Sequence, residues 1–336
     1  MSDFKINSIA TKQGQHGPVI AGISTINSTG CMKIPSGTTG HRGGRGRMVT
    51  YGGSDGSNYL NSMNTMDIAT TGSAVDFGDS SKTNGFSSGM ASSTRGVFKQ
   101  GRSPGYTGIM EFVNFSSLGG VTLFGDDNGV SQDSSASSAD NTRGIFGNGT
   151  GYDRKIQFIT LASTGDASQF GNLSQGLYMG GGSGGASQTR GFFFGGRTSA
   201  PAVVNTIEFV TIQSKGDAVD FGDLTVARRA IAAVTNATRA VACSGDTPAT
   251  NTMDFITMAS EGNATDFGDI TRQAAGYGAG GSTQTRGVIT GCSPDNKNAI
   301  DFITFSTTGN ATDFGDTTYE SYLNGACSDS HGGLTL

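Results

Sequence analysis

The stretch that decides the fold is residues 190–238. It opens Thr189-Arg190-Gly191-Phe192-Phe193-Phe194-Gly195-Gly196 and continues Asn205-Thr206-Ile207-Glu208-Phe209-Val210-Thr211-Ile212. It then runs through Asp217-Ala218-Val219-Asp220-Phe221-Gly222-Asp223 and closes with Ala230-Ile231-Ala232-Ala233-Val234. The next residues repeat the pattern: Arg239-Ala240-Val241-Ala242, then Asn251-Thr252-Met253-Asp254-Phe255-Ile256-Thr257, then Asn263-Ala264-Thr265-Asp266-Phe267-Gly268-Asp269. Self-similarity at a fixed period has to be read as an array before any local assignment.

The anchor arginines Arg47, Arg95, Arg143, Arg190, Arg239 and Arg286 are spaced by 48, 48, 47, 49 and 47 residues. That period is the length of a four-stranded propeller blade. Helical repeats are excluded because each unit is rich in Gly, Thr, Ser and Asn and carries no long apolar pattern of period 3.6. Each unit divides into four short strands: a small apolar one, as at 230–234; a second from the anchor, as at 190–194; a third, as at 206–212; and a fourth, as at 218–221. Turns such as Ser214-Lys215-Gly216-Asp217 use glycine for the positive φ they demand.

The expected fold is all-β: a seven-bladed propeller with four strands per blade. Its continuous blades are placed at about 36–83, 84–131, 132–174, 175–225, 226–271 and 272–318. The seventh is expected to be split. Asn324-Gly325-Ala326-Cys327 reads as a first strand and His331-Gly332-Gly333-Leu334-Thr335-Leu336 as a second, completed by residues 16–35 from the other end of the chain. Residues 1–15 form an N-terminal arm. Six blades plus an N-terminal arm is the alternative. Either closure removes free sheet edges.

Composition fits this reading. Glycine makes up 55 of 336 residues, well above the usual share of about 7%. The excess falls in turns and in first strands, where blades crowd the axis. The net charge of −5 gives no electrostatic footprint for nucleic acid. The basic cluster His41-Arg42-Gly43-Gly44-Arg45-Gly46-Arg47 reads as an edge loop entering the first anchor, against an RNA-type Arg-Gly contact. No signal peptide or membrane-length apolar run is read. Cys31, Cys243, Cys292 and Cys327 have no metal-ligand spacing and read as free thiols of a chain made in a reducing cytosol. A Cys31–Cys327 disulfide within the split blade is conceivable but runs against that compartment.

The tetrad Asp-Phe-Gly-Asp occurs at Asp76-Phe77-Gly78-Asp79, Asp220-Phe221-Gly222-Asp223, Asp266-Phe267-Gly268-Asp269 and Asp313-Phe314-Gly315-Asp316. In protein kinases an Asp-Phe-Gly triplet holds magnesium, but no phosphate loop, strand lysine or catalytic-loop signature accompanies it here. The recurrence points to packing: Phe fills the space between blades while Gly and Asp turn the chain. Arg95, Arg143, Arg190, Arg239 and Arg286 are expected to pair with aspartates of a neighbouring tetrad, since the guanidinium fork suits carboxylates; a ring for an anionic ligand is the other reading. Gly125-Asp126-Asp127-Asn128 is the densest acidic loop, a calcium candidate or an ordinary turn. Histidine is limited to His16, His41 and His331. No catalytic residues, metal ligands or cofactor-binding residues are assigned, and the protein is not expected to be an enzyme.

The units resemble kelch repeats. Gly52-Gly53 and Gly195-Gly196 match that family's glycine doublet, and residues 205–209 stand where its third strand carries an aromatic. The family's tryptophan is missing, and the tetrad Phe stands near its place. The unit Thr-Arg-Gly…Ile-Asp-Phe-Ile-Thr…Thr-Gly-Asn-Ala-Thr-Asp-Phe-Gly-Asp is similar to repeats in virion structural proteins of marine tailed phages that infect cyanobacteria. That resemblance implies a non-enzymatic structural or host-contact protein of the particle, on tail or capsid, used for assembly, decoration or host-surface attachment and made in the host cytoplasm. Its partners would be other virion proteins, with no nucleic acid and no membrane insertion. Its contact surface would be the loops 101–108, 126–138, 195–204 and 246–251, because loops tolerate change where strands do not. A glycan-binding module for host surface polysaccharide is the alternative, with Tyr51, Tyr59, Tyr106 and Tyr152 as candidate stacking residues.

Overall fold

A computed structural model describes residues 46–103, 105–128, 133, 135–147, 149–178, 185–272, 276–292 and 298–334. The N-terminal arm, residues 16–35, His16, Cys31 and the basic cluster before Gly46 lie outside them.

The fold is an all-β propeller of antiparallel blades, and it has six blades, not seven. From the axis outward, blade one is Gly325–Ser328, Arg47–Tyr51, Leu60–Asp67 and Val75–Asn84. Blade two is Ser88–Ala91, Arg95–Lys99, Ile109–Asn114 and Thr122–Asp126. Blade three is Ala136–Ala139, Arg143–Gly147, Lys155–Thr160 and Ser168–Asn172. Blade four is Arg190–Arg197, Val203–Thr211 and Val219–Asp223, its innermost rung reduced to the bridge Ala186–Gly191. Blade five is Ala232–Thr235, Arg239–Gly245, Thr250–Thr257 and Thr265–Asp269. Blade six is Ala279–Ser282, Arg286–Thr290, Ala299–Thr304 and Thr312–Asp316.

The split seventh blade is therefore corrected. Gly325–Ser328 is a first strand, as read from the sequence, but the seat beside it is taken by Arg47–Tyr51, in the register Met48–Ser328, Val49–Cys327, Thr50–Ala326 and Tyr51–Gly325. His331 does not begin a second strand. Residues 329–334 cross the end of the axis instead. His331 Nε2 lies 2.9 Å from Ala91 O, the Gly332 N–H donates to Thr235 O at 3.1 Å, and Gln284 Nε2 donates to His331 O at 3.3 Å. Gly333 is required here because a Cβ on it would sit 1.9 Å from Ala139 O. Inside this plug the axial space is about 10 Å³, bordered by Met90, Ser138, Ser282 and Cys327, which is room for about one water.

Six buried clusters form the core, one at each blade interface. The interface between blades four and five packs Phe192, Ile207 and Phe221 against Ala240, Ile256 and Met258. The interface between blades six and one packs Val288, Ile300 and Phe314 against Met48, Ile68 and Ala326, so the ring closes on apolar burial as well as strand pairing. Each buried Phe contributes on the order of 2–3 kcal/mol by removal from water.

The tetrad Phe packs between blades, but its Gly and Asp stay within the fourth strand and do not turn the chain. In blade four Glu208 faces Asp220 and Ile207 faces Gly222, so Phe221 is the extra residue of a β-bulge. The bulge turns Phe221 inward, 3% exposed, edge-on to Phe209 with ring centres 5.8 Å apart. Gly222 holds φ +146°, and a Cβ on it would stand 2.5 Å from Gly262 O in the next blade's turn. That approach allows the Gly262 N–H to reach Phe221 O at 2.8 Å and the Ala264 N–H to reach Asp223 O at 2.8 Å. The tetrad aspartates are left exposed or half-exposed.

The anchor arginines do not pair with those aspartates. Anchor and tetrad lie on the second and fourth strands of a blade, two strand spacings or about 10 Å apart. Each guanidinium reaches instead for a main-chain carbonyl at the end of the next blade's third strand. Arg95 donates to Leu161 O at 2.9 Å, Arg143 to Ile212 O at 2.8 Å, Arg190 to Met258 O at 3.0 Å, Arg239 to Phe305 O at 2.6 Å and Arg286 to Ala69 O at 2.9 Å. Arg47 donates to Phe115 O. Five of them also stack on their own blade's third-strand Phe, from 4.2 Å for Arg95 over Phe112 to 5.0 Å for Arg286 over Phe302. In blade one Thr65 holds the equivalent place.

Candidate functional site

Because every blade is an antiparallel meander, its connections alternate between the two ends of the ring. The turns from first to second strand and from third to fourth share the plugged face, and they are uniform. The anchor N–H is capped by Ser92 Oγ, Asp140 Oδ1, Ser187 Oγ, Asn236 Oδ1 and Thr283 Oγ1 in blades two to six. The connections from second to third strand, and from each blade to the next, share the opposite face. These differ from blade to blade, and of the proposed contact loops the described residues 101–103, 105–108, 126–128, 133, 135, 195–204 and 246–251 belong to this end, while 136–138 lie in the axial strand of blade three.

Beneath that face lies a layer of polar latches. The third strand carries a buried amide or acid at Asn64, Glu111, Gln157, Glu208, Asp254 and Asp301. Each is tied to the segment leaving the preceding blade. Thr225 Oγ1 donates to Asp254 Oδ1 at 2.6 Å, Thr271 Oγ1 to Asp301 Oδ1 at 2.6 Å, the Ser174 N–H to Glu208 Oε1 at 2.9 Å, and Gln157 Nε2 to Asp127 O at 2.7 Å. Arg228, fully buried, adds an ion pair to Asp254 at 2.7 Å and donates to Ser244 O and Ala242 O. The signal was present in the sequence as Met-Glu-Phe at 110–112, Ile-Gln-Phe at 156–158, Met-Asp-Phe at 253–255 and Ile-Asp-Phe at 300–302.

The acidic loop divides. Asp126 is exposed, whereas Asp127 is buried and pairs with Lys99 at 3.4 Å. Burial pushes the Lys99 ammonium below its ordinary range, against the opposing pull of Asp127 and Asp133. Asp133, also buried, pairs with Arg102 at 2.9 Å; burial raises its carboxyl, with Arg102 and Lys99 pulling it down. Among the described residues no group of three His, Cys, Asp or Glu could hold a metal ion. Cys243, Cys292 and Cys327 are buried free thiols, all pushed up by burial.

The four candidate stacking tyrosines separate. Tyr51 is fully buried, stacked on Phe98 at 4.6 Å and bonded through its hydroxyl to Glu111, so it belongs to the core and offers no face to a ligand. Tyr59 is half-buried against Gly85. Tyr106 pairs with Arg102 in a small hairpin, Arg102–Ser103 with Gly105–Tyr106. Tyr152 is half-exposed, its ring 6.0 Å from Tyr178.

The face carries further aromatics that the sequence reading passed over. Phe86, Tyr277 and Tyr322 lie in the segments that enter the first strands of blades two, six and one. Main-chain bonds run round the axis here: the Ser87 N–H donates to Leu323 O, the Leu323 N–H to Tyr277 O, and the Tyr277 N–H to Ala230 O at 2.9 Å. Phe86 and Tyr277 hold φ of 58° and 63°. A bulky residue in that region costs on the order of 1–3 kcal/mol, which the surrounding bonds must offset. The Tyr277 hydroxyl donates to Asp246 Oδ2 at 3.3 Å, and Arg229 grips the same oxygen through Nη2 at 2.7 Å and Nε at 3.1 Å. Burial, with smaller opposing effects of Arg229 and Asp246, pushes the Tyr277 phenol up to about 12.

Compared with known protein families, the chain matches none. No curated protein matches it either.

Proposed function

We propose that this propeller is a non-enzymatic structural part of a phage particle, on tail or capsid, that meets its partners through the long-loop face. The observation that carries the reading is the asymmetry between its two ends. One end is uniform, built of capped tight turns, and sealed by residues 329–334. The other gathers all the variable connections on a rigid closed ring, an arrangement suited to recognition. Mass spectrometry and imaging of purified particles test it. The protein is expected at a fixed copy number with the loop face against a neighbour or turned outward, and its absence from particles would overturn the reading.

A second reading, a glycan-binding adhesion module, is favoured by one specific observation: half-exposed aromatic rings cluster at the loop-face end of the axis beside fixed polar groups. A glycan array of the purified chain, with signal above background as the expected result, tests it.

A further inference from the structure

We propose that Tyr277, Tyr322 and Phe86, extended by Tyr178 and Tyr152, form a belt across the loop-face mouth that binds a neutral polysaccharide of pyranose sugars. This rests on the second reading above and assigns it to particular side chains. Phe86 and Tyr277 meet edge to face with ring centres 6.3 Å apart, and Tyr277 and Tyr322 do the same at 6.3 Å. Tyr178 and Tyr152 lie 6.0 Å apart in segments of the same face, Tyr178 in the segment leaving blade three and Tyr152 between the second and third strands of that blade. All five rings are half-exposed. The aliphatic faces of a pyranose are apolar and its rim is hydroxyls, so it needs aromatic planes with hydrogen-bonding groups at their edges.

The edges here are of that kind. Asp246 is held in place by Arg229 and the Tyr277 hydroxyl, and a carboxylate so fixed has acceptor sites for sugar hydroxyls. Arg102 lies over the Phe86 ring at 5.3 Å and pairs with Asp133. At the Phe86–Tyr277 centre of the belt the two charged pairs are Arg229 with Asp246 and Arg102 with Asp133. A charged ligand would have to compete with one of these pairs, whereas a neutral sugar leaves both intact, which selects the neutral class. Phe86 and Tyr277 also distinguish this site from its copies: the equivalent αL residues entering blades five and one are the buried Ala230 and Leu323.

The test uses the full chain with maltohexaose, mannohexaose and cellohexaose as neutral probes and hexagalacturonate as the charged one. Saturation-transfer NMR and tyrosine fluorescence read binding, the latter unobscured because the chain has no Trp. At least one neutral hexamer is expected to bind, with affinity reduced 10-fold or more by Tyr277→Ala and by Tyr322→Ala. Tyr277→Phe, which keeps the ring but loses the bond to Asp246 Oδ2, should fall between the parent and Tyr277→Ala. Should either alanine variant fail to fold, Tyr277→Leu and Tyr322→Leu, which keep bulk and lose the aromatic face, take their place with the same 10-fold loss expected. Leu118→Ala, an exposed change in a turn of the plugged face, should have no effect. Unchanged neutral binding in Tyr277→Ala and Tyr322→Ala would overturn the belt while leaving the glycan reading standing. No neutral binding at millimolar probe would overturn both, and binding of hexagalacturonate alone would overturn the neutral class. Loss of particle docking by the same variants, without sugar binding, would make the belt a protein contact. The particle reading has its own test and survives any of these results.

Discussion

Asp329 and Arg47, 282 positions apart in the chain, form a mutual pair: Asp329 Oδ1 accepts the Arg47 N–H at 2.8 Å, and the Asp329 N–H donates to Arg47 O at 3.1 Å. In every other blade the residue three before the anchor makes this cap within one continuous turn. In blade one the turn is cut and its two halves are held together without a covalent link. Asp329→Ala is expected to cost about 2 kcal/mol, as for a lost bond to a charged acceptor. Asn236→Ala, the same cap in an unbroken turn, should cost about 1 kcal/mol. Urea unfolding of both variants checks the order.

The anchor arginines couple neighbouring blades through a carbonyl and a ring. Arg239→Met keeps much of the aliphatic stem but removes the bond to Phe305 O and the stacking on Phe255. A loss of about 2 kcal/mol is expected, from a charge-assisted hydrogen bond plus a partly exposed cation–π contact. Arg239→Lys should fall between, because an ammonium lacks the planar fork. Thermal melts of the two variants against the parent measure this.

Gly222 and Gly262 hold similar dihedrals, φ +146° and +152°, but only Gly222 faces backbone; nothing stands within 4 Å of a Cβ on Gly262. Alanine at 262 therefore pays only for conformation, on the order of 1 kcal/mol. Alanine at 222 must also push apart two blades, and a loss of about 3 kcal/mol or more is expected. Denaturant midpoints of the two variants separate the contributions.

The Tyr277 phenol sits at about 12 in the folded protein against 10.0 for an ordinary tyrosine. Between those values the native state keeps a proton that the unfolded chain releases. Stability from this group is therefore complete below pH 10 and is lost as pH rises toward 12. Ultraviolet titration should show a phenol ionising near pH 12 that is absent from Tyr277→Phe, and the alkaline loss of stability should be shallower in that variant.

The repeat, the four strands of each unit and the packing of the tetrad Phe were legible because they follow from recurrence at a fixed period. The blade count was misread for a local reason. His331-Gly332-Gly333-Leu334 imitates an anchor and its glycines, yet those glycines let the chain pass close to Asn236 O and Ala139 O. Six anchor arginines were the better count. The partners of the arginines were misjudged because charge complementarity was weighed without the spacing between second and fourth strands. The aromatic belt was invisible because Phe86, Tyr277 and Tyr322 come together only when the ring closes, and nothing in their local sequence marks them.

The closure itself is tested most directly by the unfolding midpoint of a chain lacking residues 1–45. All six blades are complete without that segment, since Gly325–Ser328 supplies the inner strand of blade one. A single cooperative transition with a midpoint close to that of the full chain is the expected result. Loss of the transition, as a seventh blade built from residues 16–35 would require, would contradict the six-bladed ring.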